Sequence, residues 1–540
     1  MLRPASIRQW APRYRGVRSL SRFAPRGLYL LGGVALAGLL VFAYTGVSWR
    51  YQLWSDHAST VLAGLDMLRG NWNLEGWSLA THSLWSTEIP VYALALFVRG
   101  FTPALMHEVP AVLYAALVGA TCWTAAQGMK PRGRIVAASV PFVLVGLPSA
   151  QTNFPNNLQG FALGVGGSHV GTSLFVIVAI ALFAGWRAPI IMHSQIGRGW
   201  WQGWPRGAGA VVALAFAIAG DPSALVIGLL PVLTEAVTSW IRKGAAVGLV
   251  GLGYCTMVGA VASVMLNVRG FVTLGLGADF VSWDQLGANL SLTIHGMLNL
   301  FGADFFGQNM FGVGTAILLL HLLGLVLVVW AGVRALRRWV KGTDDDWIST
   351  VLALACLFNI LAYTGSTLPT SFNTTRYLSA TVFFGATLAG RTAGVLVGEW
   401  DGHKIRTAVL AIAGYAAIAL VSFLLVFSRP IAGAWPEGIP QLVEWLSAKQ
   451  LHHGWGVYRA SSIVTVESRG YVTIRPVESD LNQCCLSRSR WYSETAPEFI
   501  VWGVREDIGS INLQAITDAF GPPKAIFTVG AFRVAVLRHR

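Results

Sequence analysis

Carboxylates flanked by aromatic residues lie in two short segments of the early chain. The first reads Trp54-Ser55-Asp56-His57-Ala58, and the second reads Trp85-Ser86-Thr87-Glu88-Ile89-Pro90-Val91-Tyr92. A carboxylate held in such a segment provides a general base or a ligand for a divalent cation. The simpler alternatives are a solvated helix cap for Asp56 and a helix start with proline in its first turn for Glu88.

Histidines accompany carboxylates in the polar segments between the apolar runs. Such a set is able to bind a divalent cation, for which Glu88 and His57 are the candidate ligands. No pair shows the spacing of a ligand motif such as H-E-x-x-H, so a structural or interfacial role stays open for each histidine. The histidines are His57, His82, His107, His169 and His295, and the carboxylates are Asp56, Glu88, Asp221 and Asp304.

A third candidate group is the arginine of the segment Thr374-Thr375-Arg376-Tyr377-Leu378, which precedes an apolar run. Arginine binds phosphate through two parallel hydrogen bonds, which suits a lipid phosphate at the membrane boundary. The alternative is an arginine that anchors a helix end at the interface. The chain contains no P-loop, dinucleotide fingerprint or nucleophile elbow, which argues against nucleotide-driven pumping and serine hydrolysis.

The composition indicates that these groups are positioned by membrane helices. Hydrophobic residues make up 54% of the 540 residues and charged residues only 12%. The apolar residues are gathered into runs of about 20, the length that crosses a bilayer as a helix. The net charge of +14 reflects lysines and arginines in short loops, which is a signal of topology rather than of nucleic-acid binding.

The basic residues also predict the orientation. The tail at 1–27 contains seven arginines and no acidic residue, so we expect it to stay in the cytoplasm. A cleaved signal peptide is the competing interpretation, but the following apolar run is too long and lacks a cleavage site of small residues. About eleven spans follow between residues 28 and 428. The third of them is expected at 135–148.

Two long outer segments, 48–108 and 267–311, are too polar to span and are predicted to contain amphipathic helices. The interruption Gly220-Asp221-Pro222 predicts the outer tip of a tight helical hairpin, with Asp221 facing the far side.

The residues after the last span have a different character. Eleven crossings place 429–540 outside the cytoplasm, as a small α/β domain. A helix is predicted at 441–452 and strands at 462–466, 471–474, 499–504 and 525–536. This region also contains the adjacent cysteines Cys484 and Cys485. A bridge between vicinal cysteines is sterically awkward, so no function is assigned to them.

Taken together, these features resemble the GT-C class of membrane glycosyltransferases, especially the bacterial branch related to protein mannosyltransferases and lipid A aminoarabinose transferase. Asp56 lies where that class has an acidic residue after the first helix. Glu88-Ile89-Pro90-Val91-Tyr92 resembles its later acidic residue before a proline and an aromatic residue, and Arg376-Tyr377 resembles an Arg-Tyr pair near a late helix. His57 is a departure, because many relatives have a second acidic residue there.

The resemblance implies a reaction at the outer face of a bacterial inner membrane. A sugar would move from a polyprenyl-phosphate donor to a lipid, glycan or protein acceptor, with inversion. Asp56 would act as general base and Glu88 as a second acidic or metal-binding group, while Arg376 would bind phosphate beside Tyr377. His169 and Asp221 would line the substrate pocket. A divalent metal ion, with Glu88 and His57 as ligands, would be the only cofactor, and no nucleic acid is expected.

Two other classes of function stay open. A transporter or lipid flippase also needs many helices, but such proteins place ionisable groups near the middle of the bilayer and often contain repeats. Here the spans are nearly free of charge and no repeat is visible. A non-catalytic envelope scaffold is the second alternative, and it would tolerate the loss of Asp56.

Overall fold

The chain consists mainly of helices and contains two small sheets. A computed structural model describes residues 20–149, 156–164, 169–192, 196–275, 278–306, 313–343, 346–400, 402–431 and 438–538. Most of the basic tail expected at 1–27 lies outside these residues.

The helices up to residue 268 are α1 (Leu20–Ser48), α2 (Ser55–Leu68), α3 (Ile89–Arg99), α4 (Leu105–Ala126), α5 (Pro131–Pro141), α6 (Val170–Met192), α7 (Ile196–Gly220), α8 (Leu230–Lys243) and α9 (Ala245–Val268). The later helices are α10 (Leu286–Leu300), α11 (Val313–Val340), α12 (Trp347–Thr364), α13 (Ser379–Gly398), α14 (Gly402–Leu424), α15 (Ile439–Ala448), α16 (Tyr458–Glu467), α17 (Trp491–Glu494) and α18 (Leu513–Phe520). The strands are β1 (Trp77–Ala80), β2 (Val272–Leu274), β3 (His453–Gly456), β4 (Thr473–Pro476), β5 (Ser487–Arg488), β6 (Phe499–Gly503), β7 (Ala525–Val529) and β8 (Phe532–Val536).

Ten helices among the described residues are long and apolar enough, by length and composition, to cross a membrane. The chain is therefore a multi-pass membrane protein, as the apolar runs predict. The third expected span, 135–148, corresponds to α5 and the π-helix Phe142–Gly146 that follows it, which together are shorter than the other ten. The ten long helices and this short pair account for the expected count of about eleven.

Glycines hold α5 directly against α13. A Cβ atom added at Gly133 would overlap the carbonyl oxygen of Gly394, and one added at Gly390 would overlap the carbonyl oxygen of Ala137. Small residues at such contacts allow two membrane helices to approach backbone to backbone. This contact fixes α13, whose start directly follows the 3-10 helix Phe372–Leu378.

The interruption at Gly220-Asp221-Pro222 forms a turn between α7 and α8, but the expected tight hairpin is wrong, because α7 packs mainly on α6 and α9 while α8 packs mainly on α9 and α12. α7 ends at Gly220, and a π-helix, Leu225–Leu229, leads into α8 after the turn. Asp221 is buried in this turn. The loop before α3 packs on it, where the Leu84 N–H donates to the Gly220 carbonyl at 3.1 Å. This turn therefore lies next to the loop that contains Glu88, and it brings Asp221 there.

Residues 453–536 form a five-stranded sheet with strand order β4-β3-β6-β8-β7. β3 lies parallel to β4 and β6, and β8 lies antiparallel to β6 and β7. The helix predicted at 441–452 corresponds to α15, and the strands predicted at 471–474, 499–504 and 525–536 overlap β4, β6 and the β7–β8 hairpin. The strand predicted at 462–466 is wrong, because these residues lie in α16 with their β-branched side chains buried.

A second, three-stranded sheet joins distant parts of the chain beside the bundle. β1 pairs in parallel with β2 and antiparallel with β5, so it connects both long segments between spans to the C-terminal region. The Asp66 carboxylate of α2 supports this junction. It accepts hydrogen bonds from Trp77 Nε1 at 2.8 Å, Asn71 Nδ2 at 2.7 Å and Arg488 Nη1 at 2.8 Å.

A buried ion pair holds three helices together at the opposite end of the bundle. The Arg391 guanidinium of α13 lies 2.5 Å from Asp346 Oδ1, at the start of α12. Its Nη1 also donates to the Thr124 and Gln127 carbonyls at the end of α4, at 3.0 and 2.9 Å. Removing one partner of a buried pair leaves the other charge uncompensated.

Arg391→Ala should therefore lower the free energy of unfolding by about 3–5 kcal/mol. The measurement is thermal or denaturant unfolding of the detergent-solubilised protein. Arg337→Ala is the matched control, because Arg337 is an exposed arginine of α11 and its loss should change stability by about 0.5 kcal/mol or less. Equal effects of both substitutions would show that the Arg391 ion pair does not stabilise the bundle.

Candidate active site

A cavity of about 230 Å³ lies between α2, the segment after β1 and the 3-10 helix before α13. Asp56, His82 and Arg376 are its titratable side chains besides Tyr458 and Cys485, and the rest of the wall is mostly small or apolar. Asp56 and Arg376, which the sequence nominated as base and phosphate contact, therefore share one cavity. It contains an anionic and a cationic group in a largely apolar enclosure.

Asp56 lies in the first turn of α2, where the backbone N–H groups of the helix favour a negative charge. Its carboxylate accepts a hydrogen bond from the hydroxyl of Tyr458, the first residue of α16. Burial, and then the charge of Asp56, raise the pKa of Tyr458 well above its usual value. The tyrosine therefore stays protonated and acts as a donor that orients the carboxylate.

Serine hydroxyls hold α16 close to α2 at this point. Ser55 Oγ donates to the Tyr458 carbonyl at 2.6 Å, and Ser59 Oγ donates to Ser462 Oγ at 2.8 Å. All four residues are buried or partly buried, so the small side chains let the helices approach while their hydroxyls remain hydrogen-bonded. The C-terminal region thereby completes one wall of the cavity.

Glu88 is buried directly before α3, at the N-terminus of α6. Its Oε1 accepts a hydrogen bond from the Gly171 N–H at 2.9 Å, and its other oxygen accepts one from the Thr87 hydroxyl. A Cβ atom at position 171 would overlap this carboxylate, so a larger residue there would displace it from its present position. Burial raises the pKa of Glu88 to about 7, against the lowering effect of the two hydrogen bonds. Glu88 therefore exchanges a proton near neutral pH.

His169 and Asp221 form a buried pair next to Glu88. His169 Nδ1 is hydrogen-bonded to Asp221 Oδ2, which also accepts from Thr172 Oγ1 at 3.0 Å. Burial opposes ionisation of Asp221, but the charge and hydrogen bond of His169 hold the pKa of this carboxyl well below its usual range. The other imidazole nitrogen, Nε2, is buried and has no hydrogen-bond partner among the described residues.

The backbone of His169 is strained. Its φ is +59°, a left-handed conformation that costs a residue other than glycine about 1–3 kcal/mol and often occurs at functional sites.

Two aromatic rings connect this pair to the cavity. The His169 ring lies 5.3 Å from the His82 ring and 4.9 Å from the Tyr377 ring, measured between centroids. His82 lies on the cavity wall. Burial and the nearby charges of His169 and Arg376 lower the pKa of His82 to about 4, so its imidazole is neutral at neutral pH. The titratable groups therefore form one continuous cluster.

Arg376 provides the positive charge of the cavity wall. It lies in the 3-10 helix before α13, with its guanidinium carbon 5.4 Å from the centre of the Tyr377 ring. Its Nε is buried and has no hydrogen-bond partner among the described residues. A guanidinium on a cavity wall is suited to an oxyanion such as phosphate.

His57 has a different environment from the other candidates. Its Nδ1 accepts a hydrogen bond from the Trp54 N–H at 3.4 Å across the first turn of α2, and it is not among the cavity-lining residues. One group of three possible metal-binding side chains occurs in the described part of the chain, and it contains neither Glu88 nor His57. A cation held by this pair would therefore need ligands beyond them.

The structure thus brings Asp56 and Arg376 into one cavity and places Tyr377, His169, Asp221 and Glu88 in the cluster beside it. Two site residues were not assigned a role in the site from the sequence. His82 was named only as one of five histidines able to take part in cation binding. Tyr458 gave no signal, because its role depends on the docking of α16 against α2.

Glu88→Gln should remove a pH-dependent loss of stability. The folded protein binds the Glu88 proton more tightly than the unfolded chain, so this contribution is complete below pH 4.5 and is lost as the pH rises through about 7. The loss in the wild type should be on the order of 3 kcal/mol. Thermal unfolding in detergent across this pH range measures it. The control is Glu75→Gln, at an exposed position, which should keep the pH dependence of the wild type.

Comparison with known proteins supports the fold. No family model matches the chain, and no curated protein matches it in sequence. Among solved structures, apo ArnT from Cupriavidus metallidurans is similar with a TM-score of 0.52 and 12% identity, over 94% of this chain and 98% of that chain.

Other solved structures show weaker similarity. ArnT from the same organism bound to undecaprenyl phosphate gives a TM-score of 0.49 at 11% identity, over 94% of this chain and 97% of that chain. The oligosaccharyltransferase of Archaeoglobus fulgidus tethered to an acceptor peptide gives 0.48 at 12% identity, over 86% and 68%. At such identities the apo ArnT comparison concerns the fold alone. This chain has the fold of ArnT, and the resemblance to the GT-C class is confirmed at that level.

Proposed function

We propose that this protein is a GT-C-type glycosyltransferase that moves a sugar from a polyprenyl-phosphate donor to an acceptor at the outer face of the membrane. The observation that supports this most directly is the presence of Asp56 and Arg376 on the walls of one cavity. Glycosyl transfer requires a base for the acceptor and a positive group for the leaving phosphate, and these two residues have the corresponding charges.

The reaction is a single displacement at the anomeric carbon. Asp56 accepts the proton of the acceptor hydroxyl while the acceptor oxygen bonds to that carbon. The bond from the carbon to the phosphate oxygen breaks, and the phosphate leaves with the bonding electrons. Arg376 stabilises the developing charge on the phosphate. Attack from the face opposite the leaving group inverts the configuration.

A lipid-linked donor fits the position of Arg376. The arginine lies near the start of the apolar segment Phe372–Gly398, so a phosphate bound to it would lie at the membrane boundary. Leu79, Leu84 and Ile89 contribute apolar surface to the same cavity. A polyprenyl chain attached to that phosphate would remain in hydrocarbon while the sugar lies beside polar groups.

The neighbouring cluster is suited to binding the sugar. Sugar hydroxyls need both donors and acceptors, and Glu88, with a pKa near 7, provides either. Asp221 stays ionised and holds His169 in place beside Tyr377. We assign Glu88 the role of a second acidic group, and His169, Asp221 and Tyr377 the role of substrate-binding groups. The acceptor is a lipid, a glycan or a protein, and assays with each class identify it.

The proposed orientation follows from the basic residues at the other end of the bundle. α8 ends with Arg242 and Lys243, and α11 contains Arg337 and Arg338 in its last turn. Short loops rich in lysine and arginine remain in the cytoplasm. The cavity and the sheet at 453–536 would then lie on the extracytoplasmic side of the inner membrane.

Asp56→Asn should reduce transfer about 10²- to 10⁴-fold, because the amide cannot accept the proton of the acceptor. The assay supplies polyprenyl-phosphate sugars with membrane lipids, glycans or peptides to the purified protein in lipid bilayers. Asp284→Asn, at an exposed position between β2 and α10, is the matched control and should keep full activity. Full activity of the Asp56 variant with a working donor would exclude Asp56 as the base.

Tyr458→Phe should lower kcat about tenfold and leave the KM for the donor unchanged. The tyrosine orients Asp56 through one hydrogen bond, and losing such a bond costs about 1–2 kcal/mol. Ser468→Ala, at the end of α16 and away from the cavity, controls for changes in the helix. A rise in KM without a change in kcat would instead place Tyr458 in donor binding.

A further inference from the structure

The loop between β4 and β5 folds back on itself next to the cavity. Val477 and Gln483 form an antiparallel bridge, and the Glu478 N–H donates to the Asn482 carbonyl at 2.9 Å. The Cys484 N–H then donates to the Pro476 carbonyl at 3.1 Å. This turn brings Glu478 back beside the two adjacent cysteines, although five residues separate it from Cys484 in the chain.

Three metal-binding side chains converge at this turn. A Glu478 carboxylate oxygen and the Sγ atoms of Cys484 and Cys485 all lie within 4.8 Å of one another. Around tetrahedral zinc, with bonds of about 2.3 Å to sulfur and about 2.0 Å to oxygen, ligand atoms are separated by roughly 3.4–3.8 Å. Small side-chain rotations would bring the three ligand atoms from their present separations to these distances. In the described part of the chain, these three residues form the only such group.

We propose that Glu478, Cys484 and Cys485 bind one divalent cation of the zinc class. Two sulfur ligands and one carboxylate select zinc over magnesium or calcium, which prefer oxygen ligands alone. Three protein ligands leave a fourth position for water. The proposal concerns a different site from Glu88 and His57, and it does not depend on the transfer reaction.

The position of Cys485 gives the cation a structural role. Cys485 and Leu486 line the cavity that contains Asp56 and Tyr458. Strand β5 begins at the next residue and pairs with β1. A cation would therefore join the turn after β4 to the cavity wall just before β5. It would hold this wall in place where the C-terminal region contacts α2.

The surrounding contacts hold the cysteines in this arrangement. Ser487 Oγ donates to the Cys484 carbonyl at 2.5 Å, and Gln483 Nε2 donates to Ser487 Oγ at 3.1 Å. Cys484 is buried and Cys485 is partly exposed towards the cavity. A small ion therefore has access to Cys485 from the cavity side, and Glu478 is exposed at the surface.

Cobalt(II) tests the proposal through a signal that does not depend on activity. The full-length protein in detergent is reduced, stripped with a chelator and titrated with cobalt(II). One equivalent should produce the near-ultraviolet absorption of a thiolate–cobalt bond, and zinc should abolish it by displacement. Cys484→Ser with Cys485→Ser should eliminate this absorption. Glu478→Gln should weaken cobalt binding about tenfold or more. Because this variant keeps both thiols, it tests the proposal even if the double cysteine variant fails to fold.

The control is Cys255→Ser with Cys356→Ser, which changes two cysteines of membrane helices and should leave cobalt binding unaltered. Absence of the thiolate absorption in the wild type would overturn the proposal, as would its persistence in the Cys484 and Cys485 variant. A thiol titration of the unreduced, denatured protein gives a further test, since the chain has five cysteines. If it finds only three free thiols, and the missing two are Cys484 and Cys485, these residues form a disulfide and the proposal is overturned.

Discussion

Helices α2 and α16 approach closely because serines occupy their contact, and the arrangement of the cavity depends on that approach. Ser55 and Ser59 provide hydrogen bonds that replace those lost to water, so neither helix buries an unpaired hydroxyl there. The same contact places the Tyr458 hydroxyl on Asp56. A larger side chain at either serine would separate the helices and remove the donor from the carboxylate. The site therefore depends on small residues that perform no chemistry themselves.

The two buried carboxylates of the cluster, Asp221 and Glu88, differ in pKa because they have different hydrogen-bond partners. Asp221 is ionised because it is hydrogen-bonded to His169 and Thr172. Glu88 has weaker compensation and a pKa near neutrality. Arg376 keeps a buried donor without a partner among the described residues, and its guanidinium lies on the cavity wall that also contains Asp56. Similar side chains thus acquire different roles through their partners.

The sequence predicted features that depend on local pattern. The length of the apolar runs predicted the spans, and Gly220-Asp221-Pro222 predicted the turn after α7, because each depends on neighbouring residues. The packing of α7 and α8 as a hairpin was wrong, because it depends on contacts with α6, α9 and α12. The strand expected at 462–466 was wrong because burial between the sheet and α2 outweighs the β propensity of Ile463 and Val464. Strand β3 was missed because its glycines at 454 and 456 gave no strand pattern. Asp56 and Arg376 were chosen through the resemblance, whereas Tyr458 required the three-dimensional contact.

The hydrogen bond between Tyr458 and Asp56 joins residues 402 positions apart. During synthesis Asp56 would leave the ribosome long before its partner, so a nascent or prematurely terminated chain would have an open wall beside this carboxylate. Strand β1 would likewise be synthesised long before β5, the strand with which it pairs. The apolar helices up to residue 424 therefore precede, in order of synthesis, the residues that complete this wall. A chain that ended before Tyr458 would lack the donor to Asp56.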